Sequence, residues 1–241
     1  MPVQKNPKAR TRKRRLKEWM LTRGWKEADF RRGGEFAGFG FAPYVGKSAR
    51  RAIRAVQKEE RLPVTGKFDR KTLDALFPGR TRRRFRRAMV RGYRQIRNVR
   101  EEPLGSNWGP MVKKILAHVG FTVPAAWCCA TVWYVADVLA GYNGPTQTGS
   151  RAYVPHLEEW AKDGGIVVPL RQSRAGMVVT YCWDGVRRVG KGDHVGVLLA
   201  PAWGVAIVRT GGGNELDRVK ISVHRTSQIN CVVDLAQLHK A

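Results

Sequence analysis

The sequence predicts an α+β protein in which helices come first and an antiparallel sheet follows, preceded by a small all-α region and a basic N-terminal arm. Two observations predict this order. Apolar residues recur at helical i, i+3, i+4 spacing as far as a segment around Trp160. Beyond it come AGMVVTYCW, DHVGVLLA, GVAIVRT and RVKISVHR, valine-rich runs separated by Gly, Pro and Asp turns, which read as strands. A third observation, the placement of charge, separates the two ends of the chain.

The chain has 241 residues, 43% of them hydrophobic, enough for one medium domain and a small one. Its net charge is +26. Residues 1–102 hold 31 Lys and Arg against 10 Asp and Glu, and the remainder holds 14 against 9, so the basic field belongs to the N-terminal part. Such a field predicts a polyanionic partner: nucleic acid, an anionic membrane surface or an acidic cell-wall polymer. The basic first residues lack the apolar run of a signal peptide. No window reaches the ~18–20 apolar residues of a membrane span, the nearest, 124–140, being broken by Asp137. These features predict a soluble protein made in the cytoplasm. The four cysteines, Cys128, Cys129, Cys182 and Cys231, include no C-x-x-C pair, so neither a zinc site nor a disulfide framework is expected, and no metal or cofactor is called for.

Taken in order, residues 1–43 form a basic arm, with Leu16, Trp19 and Met20 on one side of a helix-like segment and a glycine-rich stretch, RRGGEFAGFGFAP, behind it. Residues 44–79 form a helical hairpin: Ile53, Val56 and Gln57 share one helical face, LPVTGKFD makes a turn, and Leu73, Leu76 and Phe77 share the face of a second helix. Residues 80–100 are an arginine-rich linker helix interleaved with Phe85, Met89, Val90, Tyr93 and Ile96. Two readings stand for it, a solvated helix whose apolar stripe packs on a neighbour, or a contact for an anionic surface or nucleic acid. From Glu101 the composition becomes ordinary. SNWGPMVKKILAHVG reads as a short amphipathic helix capped by Ser106 or Asn107, and PAAWCCATVWYVADVLAGYNG as a more buried helix ending at Gly141 or Gly144.

A thiol hydrolase needs a thiolate, a histidine to take its proton, and a polar group to fix that histidine's tautomer. Cys128 opens a helix, where unpaired N–H groups and the helix dipole favour an anion on sulfur and can hold an oxyanion. His194 begins the strand in GDHVGVLL. Asn214, in RTGGGNELD, follows the next strand, and antiparallel pairing brings that turn beside His194. The order Cys, His, Asn along the chain is that of papain-like enzymes. Cys129 is turned ~100° around the helix from Cys128 and reads as core. His118, His156, His224 and His239 fit no motif and read as structural or exposed. Trp127 reads as packing at the cleft wall, and Asn107 as a cap that also lines the oxyanion site.

Two resemblances sharpen this reading. Residues 44–79 resemble the small helical peptidoglycan-binding domain found beside many cell-wall hydrolases, matching it at Ala52, Val56, Gln57, Leu62, Val64, Gly66, Phe68, Thr72, Ala75 and Leu76. Residues 101–229 resemble a CHAP domain, a cysteine, histidine-dependent amidohydrolase/peptidase of phage endolysins and bacterial autolysins. The matching positions are Glu101, Pro103 and Asn107; Trp127, Cys128, Ala130 and Trp133; Gly176, Val178 and Val179; Asp193, His194, Val195 and Gly196; and Gly213, Asn214 and Val219. The resemblance implies a papain-like fold over residues 101–241, with Cys128 as nucleophile, His194 as base and Asn214 as its orienting group. Three departures are visible. Cys129 replaces the usual Ala, and Met177 stands where Asp commonly follows Gly. Gly212 stands where many members carry the third catalytic residue, a Glu, which leaves that task to Asn214 or to Glu215. The calcium site of some members is not expected, since residues 103–136 hold no acidic side chain.

The function these features imply is a monomeric peptidoglycan hydrolase of phage endolysin type, an N-acetylmuramoyl-L-alanine amidase or an endopeptidase. It would reach the wall through a holin-made hole or inside a virion, its basic half adhering to anionic wall polymers or outer-membrane phosphates. Bacterial peptidoglycan is the expected partner. The rival reading is a basic nucleic-acid-binding or virion structural protein with a non-catalytic papain-like domain.

Overall fold

The computed structural model describes residues 15–18, 20, 47–76, 78–185 and 187–239. It divides into two compact units, Met1–Thr81 and Arg82–Lys240. The glycine-rich stretch, most of the basic arm, Trp19 and Phe77 lie outside the described residues.

The first unit is built on α1 (Lys47–Glu59) and α2 (Arg70–Leu76). Ala52, Ile53 and Val56 close on Leu76, and Leu16 and Met20, four apart and hence on one helical face, complete the cluster. Gln57 shares the buried face of α1 and is fully enclosed. Its Nε2 donates to Thr72 Oγ1 (2.8 Å), Thr65 Oγ1 (2.9 Å) and the Lys67 carbonyl (3.1 Å), while its Oε1 accepts from Gly66 N (2.8 Å). A buried amide has to be satisfied in this way, and here it fixes the turn between the helices. Gly66 lies at φ +67°, a conformation that costs glycine little. Asp69 starts α2 by accepting from Thr72 N (2.8 Å) and Thr72 Oγ1 (2.7 Å); the backbone bond, against burial, holds its carboxyl below the usual range.

The arginine-rich run differs from the linker that its composition suggests. It forms α3 (Pro78–Gln95), and from Arg82 onward it belongs to the second unit. Phe85, Met89 and Tyr93 recur every fourth residue and, with Ile96, enter the main core beside Trp133, while Arg82, Arg83, Arg87, Arg91 and Arg94 stay exposed. Arg86 is held by Asp234, with Nε 2.9 Å from Oδ1.

The second unit continues with α4 (Pro110–His118), α5 (Cys128–Tyr134), a π-helical turn (Val135–Leu139) that prolongs α5, and α6 (Val154–Asp163). The expected cap at Ser106 or Asn107 is not used: Asn107 sits at φ +52° and Gly109 at φ +136°, so the helix begins at Pro110, where no backbone N–H is needed. Five strands follow, β1 (Val178–Tyr181), β2 (His194–Leu198), β3 (Ile207–Gly212), β4 (Lys220–Arg225) and β5 (Ile229–Val233), wholly antiparallel in the order β4-β3-β2-β1-β5. Four were expected. The fifth, INCVV, is short and follows a polar turn, and it completes the sheet by pairing with β1.

Every residue of β1 and β2 is buried, because both faces of the sheet are covered. Val178, Val195, Val197 and Val233 face the helices, while Val179, Tyr181, Leu198 and Val208 form a second cluster on the other side. The unit is thus mixed α+β with a five-stranded antiparallel sheet. Glu158 of α6 sets the path into β2. Its buried carboxylate accepts from the consecutive amides of Gly190 (2.8 Å), Lys191 (3.1 Å) and Gly192 (3.0 Å), just ahead of His194.

Candidate active site

Cys128 is the first residue of α5, with Trp127 at the cap, and keeps 7% of its surface exposed. Its neighbour Cys129 is fully enclosed, and burial pushes that thiol well above its usual range. The two adjacent cysteines are therefore chemically unlike. None of the four cysteines forms a disulfide.

His194 begins β2, at 9% exposure, and is the ring that meets Cys128. Its Nε2 lies 3.2 Å from Glu215 Oε1, and since a carboxylate only accepts, Nε2 carries the proton and Nδ1 is left as the ring's free acceptor. Burial opposes charging this ring. Hydrogen bonding to Cys128 and Glu215, with their charges, outweighs burial and raises His194 from 6.5 to about 9. Glu215 shows the converse. Burial would raise it, yet the hydrogen bond from His194, with the polar groups of His224 and Ser222 nearby, holds it at about 2.

Of the two candidates for orienting His194, the structure brings Glu215 to the ring and turns Asn214 elsewhere. Asn214, at φ +56°, directs Nδ2 to Asn107 Oδ1 at 3.1 Å. Gly212 explains how Glu215 gains access. A Cβ at 212 would overlap Glu215 Oε1 and come within 3.1 Å of His194 Nε2, so the acid from position 215 fills the space that a side chain at 212 would take.

Trp127 differs from its expected place at the cleft wall. It is fully enclosed and donates Nε1–H to Glu101 Oε1 at 2.8 Å, so it does not present a face to a substrate. The other oxygen of Glu101 accepts from Asn107 N at 2.7 Å. One buried carboxylate thus ties the residue before Cys128 to the loop carrying Asn107. Glu101 and Asn107 were visible in sequence as parts of a motif; this link between them was not.

His224, taken from sequence as structural or exposed, places Nε2 3.6 Å from the same Glu215 oxygen. Strand alternation was the available signal: Lys220, Ser222 and His224 share one face of β4, and Ser222 and His224 both meet Glu215. Trp183 was likewise missed. It is 46% exposed and stacks on Tyr181 (5.2 Å between ring centres) and His194 (6.0 Å). Trp183, His224, Ser222 and Lys220 border a cavity of about 410 Å³ beside His194.

Among the described residues, one group of metal-ligating type converges: Cys182, Asp184 and Asp193, whose ligand atoms lie within 4.8 Å of one another. The hydrogen bond to Asp184, then burial, raises the Cys182 thiol to about 11, and Asp193 accepts from Trp183 N at 2.8 Å. The cluster therefore shapes the loop that carries Trp183.

Residues 37–76 match the family model described as "Putative peptidoglycan binding domain". No curated protein and no solved structure matches the chain. The matched segment ends with α2, and its described part contains the Gln57 turn. It supports peptidoglycan as the partner and a function connected with the bacterial cell wall. No helix among the described residues is long and apolar enough to cross a membrane.

Proposed function

We propose that the chain is a peptidoglycan hydrolase, a lysin of the phage type. In this reading a papain-like CHAP domain cleaves an amide in the peptide part of the wall and the N-terminal unit holds the enzyme on its polymer. The observation that carries the reading is the convergence of Cys128, His194 and Glu215 in one site, in a chain that also bears a peptidoglycan-binding segment.

The chemistry follows from the charges. With His194 raised to about 9 and Glu215 held at about 2, the protonated ring and the carboxylate coexist at neutral pH, and a proton passed from Cys128 to Nδ1 leaves a thiolate beside an imidazolium. Cys128 Sγ attacks the amide carbonyl carbon, and the oxygen becomes an oxyanion facing the N–H groups at the start of α5. As the C–N bond breaks, the Nδ1 proton passes to the leaving amine and a thioester remains on Cys128. Water then loses a proton to the neutral His194 and attacks the thioester. Collapse releases a carboxylic acid, which gives its proton to solvent, and returns the thiolate–imidazolium pair. Glu215 stays ionised throughout and holds the ring's tautomer, so no metal or cofactor enters the scheme.

Digestion of purified peptidoglycan, with mass spectrometry of the new termini, tests the reading. Wild type should release new amines and Cys128→Ala none; equal release by the two proteins overturns the assignment. New N-terminal alanine identifies an amidase, and other new amines identify an endopeptidase.

A further inference from the structure

The cavity beside His194 is lined by His194, Glu215, Trp183, Val223 and Lys220, but not by Cys128. This one-sidedness has a chemical meaning. In a thiol hydrolase the acyl half of the substrate becomes bonded to sulfur, whereas the amine half departs on the side of the histidine that protonates it. A cavity that borders the histidine and not the thiol is therefore placed for the amine half.

Its charges identify what that half carries. Glu215 is already engaged by His194, His224 and Ser222. Lys220 stands across from Gly212 in the β3–β4 register, on the same face as Ser222 and His224, and makes no ion pair among the described residues. Its ammonium is the cavity's uncompensated charge. Trp183, 46% exposed, and Val223, 64% exposed, add apolar surface to the lining.

We propose that this cavity is the subsite for the amine half of the scissile amide, and that Lys220 selects substrates whose amine-side residue bears a free carboxylate. The inference rests on the thiol-hydrolase reading. A charge-assisted contact of this kind, half exposed, corresponds to about 10- to 100-fold in kcat/KM. Lys220 is exposed, so its replacement leaves the fold unburdened.

The test uses the full chain and soluble muropeptides prepared from peptidoglycan, either untreated or with their carboxylates converted to amides by carbodiimide and ammonia. Wild type should cleave the amidated set about 10- to 100-fold less efficiently, chiefly through KM. Lys220→Met should show that same loss on the untreated set and little further loss on the amidated one, while Lys220→Arg keeps most of the preference. Equal kcat/KM for wild type and Lys220→Met on untreated muropeptides, or losses that multiply when both changes are combined, would overturn the subsite and leave the hydrolase reading intact. Absence of any Cys128-dependent product from untreated muropeptides would overturn both.

Discussion

Glu215 occupies the space in front of Gly212: a Cβ at 212 would overlap the carboxylate oxygen that lies 3.2 Å from His194 Nε2. The glycine is thus a condition for the acid's reach. Gly212→Ala should displace Glu215 and lower kcat/KM on muropeptides by about 10- to 100-fold, because the histidine loses its fixed tautomer. Unchanged kinetics in Gly212→Ala would show that the acid has another route to the ring.

The pH profile follows from the two opposed shifts. His194 is raised from 6.5 to about 9, so the imidazolium that protonates the leaving amine is lost as pH rises through about 9, and the alkaline limb of kcat/KM should fall there. Glu215→Gln removes the negative charge that favours the protonated ring, and the limb should move to lower pH. A limb that stays in place would separate Glu215 from the titration.

The same shifts bear on stability. The raised His194 contributes stability fully below 6.5, lost as pH climbs through about 9; the lowered Glu215 contributes above 4.5, lost as pH drops through about 2. Thermal melts of wild type and Glu215→Gln should differ most between pH 4.5 and 6.5, and converge on either side.

The adjacent thiols should separate under iodoacetamide at neutral pH. Fragment-ion mapping is expected to place the label on Cys128 and not on the enclosed Cys129. Cys129→Ala should keep activity and cost about 1–2 kcal/mol of stability for the small cavity left behind. Label on Cys129 would contradict its burial.

In the first unit, Gln57→Ala removes the amide that joins Thr65, Gly66, Lys67 and Thr72. The expected cost is about 2–4 kcal/mol, since buried donors and acceptors lose their partner. Sedimentation with insoluble peptidoglycan should weaken in parallel, while cleavage of soluble muropeptides is retained.

By itself the sequence determined the order of helices and strands, because apolar spacing of 3.6 and runs of β-branched residues are written locally. It likewise set the unlike environments of Cys128 and Cys129, since consecutive residues at a helix start point in different directions. It also placed His194 at the head of a strand and named Glu215 beside Asn214. For α3 the sequence offered both a packed apolar stripe and an anionic-surface contact, and the structure shows the packed stripe, since Phe85, Met89 and Tyr93 become core once a neighbouring layer covers them. Tertiary structure alone brought Glu215, rather than Asn214, to the ring of His194. Both occupy one turn, and the choice depends on an absent side chain at Gly212 and on Asn107, more than a hundred residues upstream, drawing the amide of Asn214 away. It also enclosed Trp127 and brought His224 and Lys220 to the site, through cross-strand register and a buried carboxylate at Glu101. Such pairings join residues distant in the chain, so no local pattern encodes them.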